Sequence, residues 1–309
     1  MLALSAACAL VPAEVLAQQP FETRGVNAQK AANAVLSMMG LMLTPDVTTG
    51  SLSFSNDATG NPDFSMTSFG GGFTTSKAFP LFLEGTAGIS RYDPTFIASN
   101  GVEEREVPVK WNVVTATGGI GWDFPVAKDL VLRPIFNFSY GHLESDTSLA
   151  GRFIESRSDA TLEFLDGGRL DAYGLGGALM LDYESYRPER EIDVELRYTN
   201  IQLQSFASTS TGAKGSADAQ TINLWSRWRA PTGLTLMERP LRYVLEYVYS
   251  RFLGDLDGVL GFNNLHSFGT GLELDVSKYD IIVTRARLVA RYKIGDNVKG
   301  WSVGFAISF

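Results

Sequence analysis

The 309-residue chain carries 26 basic and 34 acidic side chains, and its net charge of -8 argues against nucleic acid as a partner. Mean hydropathy is +0.01, and the longest candidate for a membrane-spanning helix, residues 35–43, is about half of the roughly 20 residues such a helix needs. The 31 glycines, 19 phenylalanines, 11 tyrosines and 5 tryptophans are nevertheless an unusual load for a soluble domain. A transmembrane β-barrel hides hydrophobicity in this way, because alternate residues of each strand face a polar lumen. The sequence has no Rossmann glycine pattern, P-loop or zinc-type ligand spacing, so no cofactor, metal or catalytic site is expected.

Residues 1–17 read as a secretory signal peptide ending Val15-Leu16-Ala17, although the usual positive n-region is missing. The single cysteine, Cys8, lies within it, so cleavage after Ala17 leaves no cysteine and no disulfide. A competing reading is a lipoprotein anchored through Cys8. Ser5-Ala6-Ala7 supplies small residues before it, but the preferred leucine is absent and the apolar run is too short.

Residues 18–25 form a polar linker, and 26–43 read as a helix with no proline before Pro45. Asn27, Gln29, Lys30 and Asn33 keep its first half polar and slim, whereas Val35 to Leu43 is bulkier. Such a helix spans about 24 Å, close to the roughly 25 Å of a barrel's apolar band. The sequence thus divides into a signal (1–17), a linker with a helix (18–47) and a barrel (48–309).

About twelve strand-like segments follow, near 49–56, 63–75, 81–92, 111–124, 129–143, 168–186, 191–205, 217–229, 241–253, 266–276, 280–294 and 299–309. Several alternate clearly: Ile192, Val194, Leu196 and Tyr198 oppose Asp193, Glu195, Arg197 and Thr199. Short turns at 76–80, 125–128, 188–190 and 277–279 contrast with longer polar loops at 93–110, 145–167, 207–216 and 254–265. This is the asymmetry of an outer-membrane barrel, with short periplasmic turns and long external loops. Two connections break it: 231–240 is long for a turn, and 295–298 is short for a loop.

Trp111, Trp122, Phe124, Phe138, Tyr140, Tyr183, Tyr186, Trp225, Trp228, Tyr292 and Trp301 fall near strand ends and are expected to form two headgroup-level girdles. Inward positions carry Gly70, Gly72, Gly88, Gly119, Gly121, Gly174, Gly176, Gly269 and Gly271. A slim helix and a small lining suit each other, so the helix is expected inside the lumen. The competing readings are glycines that serve curvature and a helix lying at the barrel mouth or on the membrane surface. Arg285, Arg287, Arg291 and Lys293 are expected to face inward with Glu273, Asp275, Asp193 and Glu195, joined by Glu84 and Asp182. There they act as a selectivity filter or, by the favoured reading, as ion pairs bracing the wall.

In the last strand Trp301, Val303, Phe305, Ile307 and Phe309 form an apolar face opposite Ser302, Gly304, Ala306 and Ser308. Its partner across the closing seam is 49–56, where only Leu52 and Phe54 are apolar marks. The fold class is therefore all-β, an antiparallel transmembrane barrel of about 12 strands with an N-terminal helix in its lumen.

A lumen helix, about twelve strands and a terminal Phe309 together resemble the translocator domain of autotransporters over residues 26–309. Only some eight residues separate Ala17 from that helix, too few for a passenger, so the chain resembles the solitary outer-membrane autotransporter barrel family. The resemblance implies an integral outer-membrane monomer surrounded by lipid and lipopolysaccharide and recognised by the barrel-assembly machinery through its C-terminal strand. Asn27 and Asn33 stand apart, so the paired asparagines of self-cleaving autotransporters are not matched. A pore, transport or structural role follows, with the lumen plugged by 26–43. Surface adhesion through loops 93–110 and 145–167 is a second reading. A third is a hydrolase built on His142, with Ser139, Glu144 and Ser145 near it in sequence. It lacks any accompanying motif, and a non-enzyme is expected.

Overall fold

Side-chain alternation dictates the strands. Along 111–121 every odd residue is buried and every even one exposed, the two-residue period of a sheet with two different faces. The computed structural model describes residues 22–23, 28–44, 49–56, 61–93, 95–99, 104–147, 168–208, 214–258, 262–276, 284–296 and 298–308. Among the described residues one helix, α1 (Ala28–Gly40), precedes twelve long strands. They are β1 (Thr49–Asn56), β2 (Asn61–Thr74), β3 (Leu81–Asp93), β4 (Glu104–Trp122), β5 (Leu130–Thr147) and β6 (Arg169–Arg187). The second half comprises β7 (Arg190–Ser208), β8 (Ser216–Leu236), β9 (Arg239–Gly254), β10 (Asn264–Asp275), β11 (Arg285–Gly295) and β12 (Val298–Ser308).

Each strand pairs antiparallel with its sequence neighbours, and β12 closes on β1 with Trp301 opposite Ser53 and Phe305 opposite Thr49. The ring is therefore complete and leaves no long strand with a free edge. Trp301, Val303 and Phe305 point outward and are well exposed. The backbone of Ile307 continues β12, and Phe309 lies outside the described residues.

The connection expected to be a long turn at 231–240 is instead a hairpin extension, with Thr235 opposite Pro240 and Leu236 opposite Arg239. Its tight turn is Met237-Glu238, both at positive φ (52° and 61°), as a two-residue hairpin of matching twist requires. Part of the loop 93–110 is also ordered as sheet. Thr95–Ser99 pairs with Glu104 to Pro108 above the barrel rim, and Glu22–Thr23 adds to its edge. A further short ribbon, Phe124–Ala127, folds onto the start of β5. Residues 148–167 of the loop 145–167 and residues 277–283 lie outside the described residues.

Outward positions around the ring carry large apolar side chains, among them Phe69, Ile89, Ile120, Phe136, Leu179, Leu196, Leu245, Phe268 and Leu288. A closed barrel with such a belt is a transmembrane surface. No helix among the described residues is long and apolar enough to cross a membrane, a test that does not bear on strands.

Three of the aromatics expected in a girdle face the other way, and one of them, Tyr186, stands opposite inward Glu191 with the Arg229 guanidinium 5.5 Å over its ring. Trp111 is fully buried and Trp225 nearly so, because both occupy inward positions of their strands. The Trp225 ring lies 4.4 Å beneath the Arg227 guanidinium. Others do pair on the outer face, as Trp228 does with Tyr243 (5.1 Å between ring centroids) and Tyr292 with Trp301 (4.7 Å).

Candidate functional site

The lumen is the candidate site, and it has two parts of opposite chemistry. The first is built around α1. Residues 35–40 are all buried, so this stretch is enclosed on every side rather than amphipathic. Ala32, Val35, Leu36, Met39, Met42 and Leu43 share one apolar cluster with inward residues of the wall, including Trp111, Val113, Leu143, Ala172, Leu203 and Ala217. Met38 joins Phe262, Leu265 and Val298 in a second cluster. These wall residues all sit toward the long-loop ends of their strands. Burying each leucine- or methionine-sized side chain contributes roughly 1.5–3 kcal/mol, so the contact is a strong one.

Polar contacts fix the direction of the helix. Ser216 N donates to Asn33 Oδ1 (3.0 Å) at the rim, and the Thr44 and Thr221 hydroxyls approach to 3.4 Å further down. Lys30 lies in the first helical turn, and Asn27 lies outside the described residues.

The helix is shorter than expected. Its 13 residues rise about 20 Å, and it occupies the long-loop half of the barrel rather than its full height. Tight i to i+3 bonds end it, from Leu41 N to Met38 O and from Met42 N to Met39 O. Gly40 lies at this end because a Cβ there would meet Leu256 Cδ2 at 2.7 Å.

The second part is a lattice of ion pairs in the short-turn half. Arg197 on β7 donates from both terminal nitrogens to Glu84 on β3 at 2.7 Å, and Asn137 Nδ2 donates to the same carboxylate at 2.6 Å. Arg133 bridges Asp123 and Asp182 (3.0 Å to Asp182). Arg227 and Arg229 both hold Asp193, at 2.6 and 3.0 Å. Glu191 is a hub, accepting from Arg229 (3.0 Å), Arg285 and Arg242. Glu273 is another, reached by Arg287 (2.6 Å), Arg229 (3.1 Å) and Arg285 (3.4 Å). Arg291 pairs with Glu246 at 2.6 Å. A buried charge is tolerated only when paired and hydrogen-bonded, and the doubled contacts at Glu84, Glu191 and Glu273 meet that demand.

Among the residues singled out from sequence, Arg285, Arg287, Glu273 and Asp193 thus meet in one network, linked through Arg229. Arg291 pairs with Glu246. Glu195 is half-buried opposite Asp182 on β6, Asp275 stands opposite Arg285 on β11, and Lys293 is half-buried near the end of β11. Sequence reasoning missed Glu191, Arg227, Arg229 and Arg242 as network members. Arg227 and Arg229 share the inward parity of Trp225, a usable signal; Glu191 sits at a strand boundary, where parity is hardest to read.

Most inward glycines make room for wall side chains rather than for the helix. A Cβ on Gly119 would sit 2.6 Å from Glu84 Cγ, and one on Gly269 would sit 3.1 Å from Arg291 Cγ. Gly88 faces the helix, with Met42 Sδ 3.4 Å from where its Cβ would be.

His142 lies on the outer face. Its Nδ1 is 2.7 Å from Asp171 Oδ1, which also accepts from the Tyr140 hydroxyl at 3.1 Å. Neither neighbouring serine joins it. Ser139 points inward and accepts from Thr117 Oγ1 at 3.1 Å, while Ser145 Oγ accepts from Gly168 N at 2.8 Å. Glu144 pairs with Arg169 at 3.2 Å. His266 contacts the Tyr247 hydroxyl at 3.0 Å.

No protein-family model matches this sequence, and neither does any curated protein. Among solved structures, the chain is similar to the transport unit of the autotransporter AIDA-I from Escherichia coli, with a TM-score of 0.50 and 12% identity over 90% of this chain and 99% of that one. The translocator domain of autotransporter NalP from Neisseria meningitidis has a TM-score of 0.46 and 12% identity over 85% of this chain and 86% of that one. The beta domain of the Bordetella autotransporter BrkA gives the same score and identity over 85% and 100%. The chain therefore has the fold of an autotransporter translocator barrel.

Proposed function

We propose that the protein is an outer-membrane barrel that is closed at rest, with α1 sealing the long-loop half of its lumen, and that it serves a structural or transport role. The observation that carries this reading is the single apolar cluster formed by α1 and inward wall residues from β4 to β8. Water and ions are excluded from contacts of that density. Outer-membrane lipid and lipopolysaccharide surround the apolar belt, the barrel acts as a monomer, and the C-terminal strand β12 is what the assembly machinery engages. Planar-bilayer recording of the intact barrel tests the proposal. No steady conductance is expected, and a persistently open channel contradicts it.

A second reading, surface interaction, is favoured by the ribbon formed by Thr95–Ser99 and Glu104 to Pro108, which projects beyond the rim. Deleting residues 95–107 abolishes binding to a host surface under that reading and leaves the barrel closed.

A further inference from the structure

We infer that the short-turn half of the lumen is a second seal, made by the wall's own ion pairs and independent of the helix, so that the barrel stays closed when α1 is removed. This rests on the closed-barrel reading above. The helix stops at Gly40, beside Leu256 and Ala219, and the turn that follows it reaches Thr221 through Thr44. Below that level two pairs cross the interior. Glu84 and Arg197 belong to β3 and β7, with β4, β5 and β6 between them in the ring. Glu191 and Arg285 belong to β7 and β11, with β8, β9 and β10 between them. Side chains that meet across three intervening strands of a twelve-strand ring span the lumen as chords, rather than lining it.

The Glu84–Arg197 chord is dry, and the Glu191–Arg285 chord, whose Arg285 side chain is 26% exposed, is held by further partners. The Arg197 and Glu84 side chains are 5% and 2% exposed. Glu191 also holds Arg229 and Arg242, and Arg285 also reaches Glu273, so no single rotamer change frees the path. Every partner belongs to the wall, so losing α1 removes none of them. A charge that leaves its partner here is left buried and uncompensated, which opposes spontaneous opening.

The test is conductance of four barrels in planar bilayers, each first shown to be folded by heat-modifiable migration. They are the intact chain, the chain lacking 26–43, a chord variant (Glu84→Ala, Arg197→Ala, Glu191→Ser, Arg285→Ser), and the two changes combined. Only the combined barrel is expected to conduct. Conduction by the intact chain refutes the closed-barrel reading itself. A closed intact chain with a conducting helix-less barrel leaves that reading standing and overturns the second seal. A folded combined barrel that stays closed overturns it too. Should the four-fold variant fail to fold, Glu84→Ala with Arg197→Ala in the helix-less chain takes its place, with conduction expected and its absence refuting the inference.

Discussion

Arg197 holds Glu84 through two bonds of 2.7 Å across the barrel interior, although 113 residues and three strands separate them. Removing one member leaves the other buried without a counter-charge. Glu84→Gln or Arg197→Gln alone is therefore expected to cost about 3 to 5 kcal/mol, whereas replacing both by neutral residues of similar size costs much less. Denaturant unfolding of the reconstituted barrel, followed by tryptophan fluorescence, gives the three values. Equal losses for the single and double variants contradict the pairing.

Gly119 leaves the space that this pair fills. Gly119→Val forces the Glu84 side chain aside and is expected to destabilise the barrel by about 1 to 3 kcal/mol through overpacking. Gly118 faces the other way with nothing within 4 Å of its Cβ position, so Gly118→Val serves as the control and leaves stability nearly unchanged. The same unfolding assay reads both, and a similar loss at the two positions would sink the argument.

Val303 is an outward residue of the closing strand and is 58% exposed. Val303→Arg places a charge in lipid and is expected to cost about 2 to 4 kcal/mol near the membrane midplane. Folded, fast-migrating barrel on a cold gel should decrease for this variant and not for Val303→Leu. No difference between them would mean that this face does not meet lipid.

His142 pairs with Asp171 on the outer face, and the side chains are 39% and 28% exposed. An exposed pair of this kind contributes under about 1 kcal/mol, so His142→Ala should fold normally. Phospholipid and lipid A profiles of the host are expected to be unchanged by it. An altered profile would restore the hydrolase reading that Ser139 and Ser145, both engaged elsewhere, speak against.

The barrel was legible because a two-residue alternation reports which face is which without knowledge of any partner. It located all twelve strands, including β1, marked in sequence only by Leu52 and Phe54. The hairpin at 231–240 was hidden because the connection was read by its length as a long turn, yet Pro231 and Pro240 are both accommodated in the paired extension of β8 and β9. Trp111 was misplaced because an indole's preference for the headgroup level was set above strand parity. That parity puts it inward with Val113 and Thr115. Where the helix ends depends on the fit of Gly40 against Leu256 and Ala219, a tertiary contact with no local signal. The chords were beyond reach for a related reason: parity says that Glu84 and Arg197 face inward, and only ring closure and stagger say that they meet.

The central claim is that α1 sits inside the barrel against the start of β8, and a cysteine pair tests it most directly. A Cβ on Gly215 would lie 3.1 Å from Ala32 Cβ, a little closer than the roughly 3.5–4.5 Å of a relaxed disulfide. The measurement is disulfide formation between Ala32→Cys and Gly215→Cys in outer membranes, with Cys8→Ser as background. Near-complete cross-linking, with neither thiol reacting with a membrane-impermeant maleimide, is the predicted result. Free labelling of both thiols in a barrel shown to be folded would contradict it.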